Sequence, residues 1–319
     1  MKDIKNISIL LKLISLLSDG KFHSNQQVKE TLGISDFAIH QHVQTVRDWG
    51  VDVSTVSGKG YYLHEPLQLL DEATIRTRLP GGRLTVLPVI HSTNQYLIER
   101  IGSLQPGDAC VAEYQTQGRG RRGRQWISSF GNNLYLSIYW RFKHGHAAIG
   151  LSLMVSIVMA EVLQRLGAEG VRIKWPNDLY LDDRKLAGIL VEVSGKNGDV
   201  AHVVIGIGMN LMMREPTSIN QGWINLQEAG IAIDRNALVT ELTDELRQTL
   251  QQFECNGLVP FDSRWQALDN LFNQPVKLLI GNQEINGIAR GIDAHGALLL
   301  EQQGEMSAYL GGEITLRSL

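Results

Sequence analysis

The sequence predicts an α+β protein in three parts, and three observations carry that expectation. Residues 1–66 read as helices closed by a hairpin. From about Leu84 to Phe272 strands and helices mix, with short turns between the later strands. From about residue 273 only short apolar runs remain, separated by Gly-containing turns. A length of 319 residues suits more than one domain, and 43% hydrophobic against 20% charged residues is enough apolar material for a buried core, which excludes global disorder.

In the first part, Ile9, Leu10, Leu13, Ile14, Leu16 and Leu17 recur at helical spacing. No small-residue cleavage site follows them, so they read as a first helix and not as a signal peptide. Two further helices meet at Leu32-Gly33-Ile34-Ser35, where Gly33 allows the tight turn and Ser35 is a natural N-cap. Ala38, Ile39, Val43 and Val46 form the inward stripe of the last helix, leaving Asp36, Phe37, His40, Gln41 and Gln44 on the opposite face. Beyond Trp49-Gly50, alternation from Val51 to Leu63 around Ser57-Gly58-Lys59-Gly60 makes a hairpin with Lys59 at its tip. This order is a winged helix-turn-helix over 1–66. Its expected DNA contacts are Ser24, Ser35, Asp36, Phe37, His40, Gln41, Gln44 and Lys59. Lys+Arg and Asp+Glu number seven each in this stretch, so phosphate attraction is weak and two copies side by side would be needed on DNA. A protein-interaction module is the alternative reading.

In the second part, over 67–272, helices are expected at Ser92–Ile101, Ala147–Leu166 and Asn236–Phe253. Strands are expected at Ala109–Gln115, Asn133–Phe142, Val171–Trp175, Lys185–Val193 and His202–Gly208, with a turn at Gly195-Lys196-Asn197-Gly198-Asp199. Such short connections make a mostly antiparallel sheet. The apolar run from Ala147 to Leu163 is interrupted by Gly150, Ser152 and Ser156 and is short for a bilayer, so it reads as a buried helix and no membrane partner is expected. Cys110 and Cys255 lie far apart without metal-like spacing, which suits a cytoplasmic location. In the third part, over 273–319, runs at Val276–Ile280, Ile285–Ile292, Ala297–Glu301 and Ile314–Leu316 fit a small SH3-like β-barrel.

The chemistry concentrates in a few motifs. Gly118-Arg119-Gly120-Arg121-Arg122-Gly123-Arg124 matches GxGxxG literally, but it leads into a strand instead of opening a helix, so the dinucleotide reading fails. Glycines let a backbone approach a ligand, and four guanidiniums in seven residues repel one another unless an anion gathers them. The loop therefore suits a phosphate or carboxylate. A solvated basic loop remains the alternative. In Lys174-Trp175-Pro176-Asn177-Asp178, Pro176 ends a strand and presents Asn177 and Asp178; Lys185 opens the next strand, where Gly188 leaves room for a ligand. Ser92 or Thr93 of His91-Ser92-Thr93-Asn94-Gln95 caps a helix whose free N–H groups also suit a polar ligand. Gly206-Ile207-Gly208-Met209-Asn210 ends a strand with small residues and an amide. No GxxxxGK[ST], HExxH or GxSxG motif occurs, which sets aside Walker-type ATPases, zinc proteases and serine hydrolases.

In this order, STNQ, GRGRRGR with Trp126, KWPNDLYL, RKLAGILVE and GIGMN, together with Gly311-Gly312-Glu313 near the end, closely resemble the bifunctional biotin protein ligases and biotin operon repressors of enteric bacteria, over essentially the whole chain. The resemblance implies ATP-dependent formation of biotinyl-5′-adenylate and transfer of biotin to a lysine of the biotin carboxyl carrier domain of acetyl-CoA carboxylase. It implies Arg121 and Lys185 as catalytic residues, and Ser92, Thr93, Asn94, Gln115, Arg119, Gly120, Arg121, Lys185 and Gly188 around biotin. Arg121, Arg124, Trp126, Asn177, Asp178 and Asn210 would meet ATP or the adenylate, with Mg²⁺ on the phosphates and no protein metal ligands assigned. It further implies an adenylate-bound homodimer on operator DNA. The segment Leu211–Gly222, with Pro216, reads as shorter than in the best-known member. The alternatives are a biotin-sensing regulator without turnover and a lipoate-type ligase.

Overall fold

The computed structural model describes residues 2–79, 81–143, 148–194, 200–213, 222–280, 283–310 and 314–318. The expected turn at 195–199, residues 214–221 with Pro216, Ala147, and Gly311-Gly312-Glu313 lie outside the described residues.

The N-terminal part comprises helices α1 (Lys2–Leu17), α2 (Asn25–Leu32) and α3 (Asp36–Asp48), then an antiparallel hairpin of β1 (Val53–Val56) and β2 (Gly60–Leu63). Leu10, Leu13, Ile14 and Leu17 of α1 meet Val28, Ile39, Val43, Val46 and Tyr61 in one buried cluster. Each such side chain removed from water contributes roughly 1.5–3 kcal/mol, which is what holds these short elements together. Ser24 caps α2 in a reciprocal box with Gln27, Gly33 closes it at φ 65, and Ser35 caps α3. Of the expected inward stripe, Ile39, Val43 and Val46 are buried while Ala38 is half-buried. Asp36, Phe37, His40, Gln41 and Gln44 are exposed on the other face, Phe37 to 72%. Asp36 accepts hydrogen bonds from Lys29 Nζ (3.1 Å) and Asn25 Nδ2 (2.8 Å), which stitches α2 to α3, and the bond from Lys29 holds its carboxyl below the usual range. The Lys59 Nζ at the hairpin tip lies 5.5 Å from the centre of the Phe22 ring.

The central part contains α4 (Glu72–Arg78), β3 (Leu84–Ile90), α5 (Thr93–Ile98), β4 (Ala109–Gln115), β5 (Asn133–Phe142), α6 (Ala148–Arg165), β6 (Arg172–Lys174), β7 (Asp178–Leu181), β8 (Arg184–Ser194), β9 (Ala201–Asn210), α7 (Arg235–Asn256) and α8 (Asp262–Leu268). Its seven strands run in the order β3-β4-β5-β9-β8-β7-β6, with β3 and β4 parallel and every other pair antiparallel. Residues 151–163 of α6 pack with α7 against the sheet, and no helix among the described residues is long and apolar enough to cross a membrane. The helix expected at Ser92–Ile101 stops at Ile98 and gives way to a 3₁₀ turn at Ile101–Ser103. Four elements, α4, β3, β7 and α8, have no counterpart among the expected ones.

The C-terminal strands β10 (Pro275–Ile280), β11 (Gln283–Ile292), β12 (Leu298–Gln302), β13 (Glu305–Tyr309) and β14 (Ile314–Ser318) form one antiparallel sheet in the order β13-β12-β11-β10-β14. β13 was not expected. Strands β13 and β14 are the two edges, with no ladder joining them among the described residues. Val276, Leu278, Ala289, Leu298 and Leu300 belong to the same buried cluster as α6 and α7, so this sheet shares its core with the central part.

A keyed seam joins the helical part to the central sheet. Trp49, just after α3, stacks on Tyr114 (5.3 Å between centroids) and Phe130 (5.7 Å). Phe130 N–H donates to the Trp49 carbonyl (2.8 Å), and Ser129 Oγ donates to that of Gly50 (2.9 Å). Gly50 has φ 83, and a Cβ there would lie 2.5 Å from Ser129 Oγ, so only glycine fits. The linker beyond is gripped from α7: Arg235 Nη1 donates to the Gln68 carbonyl (2.6 Å), and Arg235 Nη2 to Glu113 Oε2 (2.8 Å).

Candidate active site

All the residues expected around biotin and ATP line one cavity of about 280 Å³ on the β8–β9 half of the sheet. Its neutral end is built at the start of α5. Ser92 caps that helix, accepting from Gln95 N–H at a long 3.5 Å. Gln115 Oε1, at the end of β4, accepts from Thr93 N–H (2.9 Å) and Thr93 Oγ1 (3.1 Å). Asn94 Nδ2 donates to the Leu190 carbonyl (3.3 Å) and Glu192 Oε2 (2.8 Å), and Asn94 Oδ1 accepts from Ser137 Oγ (2.6 Å). These buried hydroxyls and amides are paired, as burial requires.

The Arg/Gly loop folds over the opposite side as a tight bend. Gly120 N–H donates to the Arg124 carbonyl (2.7 Å), Trp126 N–H to that of Gly118 (2.9 Å), and a 3₁₀ turn spans Arg121–Gly123. Arg119 Nη2 reaches Glu192 (2.9 Å) and Arg121 Nη1 donates to Asn177 Oδ1 (2.6 Å). Burial lowers the Arg121 pKa; the Asp178 carboxylate opposes this, and the charges of Arg122 and Arg124 add to it. An anion placed here would relieve that repulsion and replace lost hydration.

The turn between β6 and β7 holds Asn177 by two bonds to Ile189: Asn177 Nδ2 donates to its carbonyl (2.9 Å), and its N–H donates to the Asn177 carbonyl (3.0 Å). Asp178 opens β7, opposite Gly188 of β8. Lys185 Nζ stands 2.8 Å from Asp178 Oδ1, a meeting of charges without hydrogen-bond alignment, with both side chains about one-fifth exposed. Gly188 and Gly208 pair across β8 and β9, and the Trp126 ring sits over them. A Cβ on Gly208 would fall 2.5 Å from that ring. Trp126 Nε1 is buried without a hydrogen-bond partner, and so is Trp223 Nε1; both are donors available to a bound ligand. Asn210 Nδ2 is tied to the Ile224 carbonyl (3.3 Å). Among the described residues no three His, Cys, Asp or Glu side chains converge to hold a metal ion.

Lys174, Tyr180, Met213 and Trp223 also line the cavity, and Glu192 braces it; Lys174, Tyr180 and Glu192 lie within the motifs read from the sequence, but none of the five was given a role there. Tyr180 follows Asp178 at the two-residue period of a strand, a signal hidden by the missed β7. Trp223 arrives from beyond residues 214–221 and carries no local signal. The residues expected to contact DNA stand apart from this cavity. Of them, Ser24 and Ser35 are engaged as caps, Asp36 is tied to Lys29, and Gln44 donates to Asp48 (2.9 Å).

Residues 86–210 match the biotin/lipoate A/B protein ligase family, and residues 271–317 match the biotin protein ligase C-terminal domain. The chain is 62% identical over 318 residues to the bifunctional ligase/repressor BirA of Escherichia coli strain K12, covering 99% of both chains. It is 63% identical over the same length to that of Salmonella typhimurium, again across 99% of each. The structure of a biotin protein ligase from Aquifex aeolicus in complex with biotin and ATP superposes with a TM-score of 0.67 at 29% identity, covering 75% of this chain and 100% of that one.

Proposed function

The chain belongs to the biotin protein ligase family, and on that premise we propose that it activates biotin with ATP, transfers it to a carrier lysine, and represses transcription when loaded with the adenylate. The observation that carries the reading is a single cavity with a neutral polar end, Ser92, Thr93, Asn94 and Gln115, against which Arg119 is paired to Glu192, and a cationic end, Arg121 and Lys185. The neutral end suits the ureido ring of biotin. The cationic end suits the biotin carboxylate and the α-phosphate of ATP, two anions that must meet. A carboxylate oxygen attacks the α-phosphorus, the bond to the β-phosphate oxygen breaks, and pyrophosphate leaves. Lys185 and Arg121 offset the repulsion in that approach and the charge that builds on the phosphoryl oxygens. The amine of the carrier lysine then attacks the anhydride carbonyl and expels AMP, with Asp178 and Asn177 beside the path for its proton. Gly120 lets the backbone close on the ligand, Gly188 leaves it room, and Arg124, Trp126 and Asn210 serve the nucleotide. Mg²⁺ would supply further charge neutralisation to ATP, and among the described residues no three His, Cys, Asp or Glu side chains gather to hold it apart from the nucleotide.

Biotin-dependent exchange of labelled pyrophosphate into ATP tests the enzyme. Exchange that needs biotin is the expected result; a folded protein without it would end the ligase reading. Arg121→Gly is expected to speed dissociation of the adenylate roughly 10- to 100-fold, since a charge-assisted contact of about 1.5–3 kcal/mol is lost. Released adenylate should then label stray lysines, and an unchanged dissociation rate would remove the role given to Arg121.

The reading divides the chain into a winged helix-turn-helix (1–66), a ligase domain (67–272) and an SH3-like barrel (273–319). It puts the protein in the cytoplasm, with the carrier domain of acetyl-CoA carboxylase and operator DNA as partners and a homodimer formed on adenylate binding. The exposed row Phe37, His40, Gln41 and Gln44 supports α3 as the groove-entering helix. Phe37→Ala with Gln41→Ala is expected to weaken protection of operator DNA by about tenfold or more, each base contact being worth roughly 1–3 kcal/mol, while pyrophosphate exchange stays unchanged. Full protection by the double variant would move the DNA surface elsewhere.

A further inference from the structure

Along β8 the side chains alternate: Gly188 and Leu190 line the cavity, Glu192 follows them on the same face two residues on, and Ile189 and Val191 pack toward the core. A carboxylate at this place is unexpected in an apolar strand and is explained by what it holds. One oxygen, Glu192 Oε2, accepts from Arg119 Nη2 at 2.9 Å and from Asn94 Nδ2 at 2.8 Å. It is therefore the point at which the Arg/Gly loop is fastened to the neutral end of the cavity.

The geometry at Asn94 shows what this fastening accomplishes. Both its amide hydrogens are committed, one to Glu192 and one to the Leu190 carbonyl. Its Oδ1 takes the Ser137 hydroxyl, which leaves one lone pair for a ligand. The backbone of Gly206 backs the amide so closely that a Cβ there would lie 2.2 Å from Asn94 Oδ1. The amide can neither slide nor turn over while Glu192 is charged, so Asn94 offers the cavity an acceptor and not a donor. The same carboxylate draws Arg119 away from Arg121, its neighbour in the loop.

We propose that Glu192 is a positioning residue for biotin: it fixes Asn94 as an acceptor for a ureido N–H and holds Arg119 at the neutral end of the cavity. The proposal rests on the ligase reading above. It concerns the end of biotin remote from the reacting carboxylate, so its loss weakens ground-state and transition-state binding equally and raises KM without lowering kcat.

The test is pyrophosphate exchange by the full-length Glu192→Gln variant, with biotin and ATP varied separately. A neutral amide can still offer one oxygen to both Asn94 and Arg119, so what the substitution removes is the charge that strengthens both bonds. The KM for biotin is expected to rise about tenfold or more, the loss of a charge-assisted bond, with kcat and the KM for ATP within about threefold of the parent. In an Asn94→Ala background the same substitution should add less than half of that factor in KM, because Glu192 acts largely through Asn94. Glu192→Asp keeps the charge but withdraws it by one methylene, and is expected to raise the biotin KM less than Gln does. If Glu192→Gln does not fold, the Asp variant decides alone, an unchanged biotin KM overturning the proposal. A fall in kcat at unchanged biotin KM overturns it as well, since that is the mark of a residue serving the fold or the chemistry. If the parent protein shows no exchange, the ligase reading falls first; normal parental exchange with an unmoved variant condemns Glu192 alone.

Discussion

Replacing Arg235 with leucine is expected to lower unfolding stability by about 3–5 kcal/mol, the usual cost of stripping one partner from a buried ion pair. The Arg235 and Glu113 side chains are 2% and 6% exposed, so neither charge has water to fall back on. Arg235 also donates to the carbonyls of Gln68 (2.6 Å) and Asn133 (2.9 Å), and both lose that donor in the variant. The second Glu113 oxygen receives the Leu70 N–H, so the carboxylate cannot turn away to find another donor. Urea unfolding followed by circular dichroism measures the loss. The double variant Arg235→Leu with Glu113→Leu should regain part of it, because the stranded charge is gone. A single variant as stable as the parent would show that the pair is not what fastens the linker.

For activity, Lys185→Ala is expected to reduce biotin-dependent exchange by roughly 10²- to 10³-fold, the range for deleting one preorganised group that meets developing charge. Lys185 Nζ is held 2.8 Å from Asp178 Oδ1 at the cationic end of the cavity, so the ammonium is in place before substrates arrive. Equilibrium binding of biotin, measured without ATP, should weaken far less than the rate falls. Equal losses in binding and rate would reduce Lys185 to an anchor for the carboxylate.

Much of this architecture was legible in the sequence because it obeys local rules. The stretches Ala109–Gln115 and Asn133–Phe142 are strands within the expected bounds, and the cap Ser35 sits where the periodicity of α3 begins. The elements that escaped depend on distant partners. Strand β3 carries Pro88, which argues against a central strand; it is tolerated because β3 lies at the sheet edge. Strand β7 has only four residues directly behind a turn, and it exists because β6 and β8 flank it. In the site, glycine and arginine motifs announced themselves through the improbability of their charge and spacing. Glu192 did not, since one acid near a strand end looks like any solvated carboxylate until Arg119 and Asn94 converge on it. Nor does Trp49 look different in sequence from an aromatic of its own helical core, although it stacks on Tyr114 and Phe130 of the neighbouring part.

That last contact bears on how such a chain is assembled from exchangeable units. A foreign N-terminal head spliced onto this body would arrive without its plug unless it, too, followed its third helix with an indole and a glycine. The socket, Tyr114, Ser129 and Phe130, belongs entirely to the body and would be left gaping. Only Ile127 and Ser128 separate Ser129 from Trp126 in the cavity lining, so the damage from a mismatched head would begin at the cavity's edge.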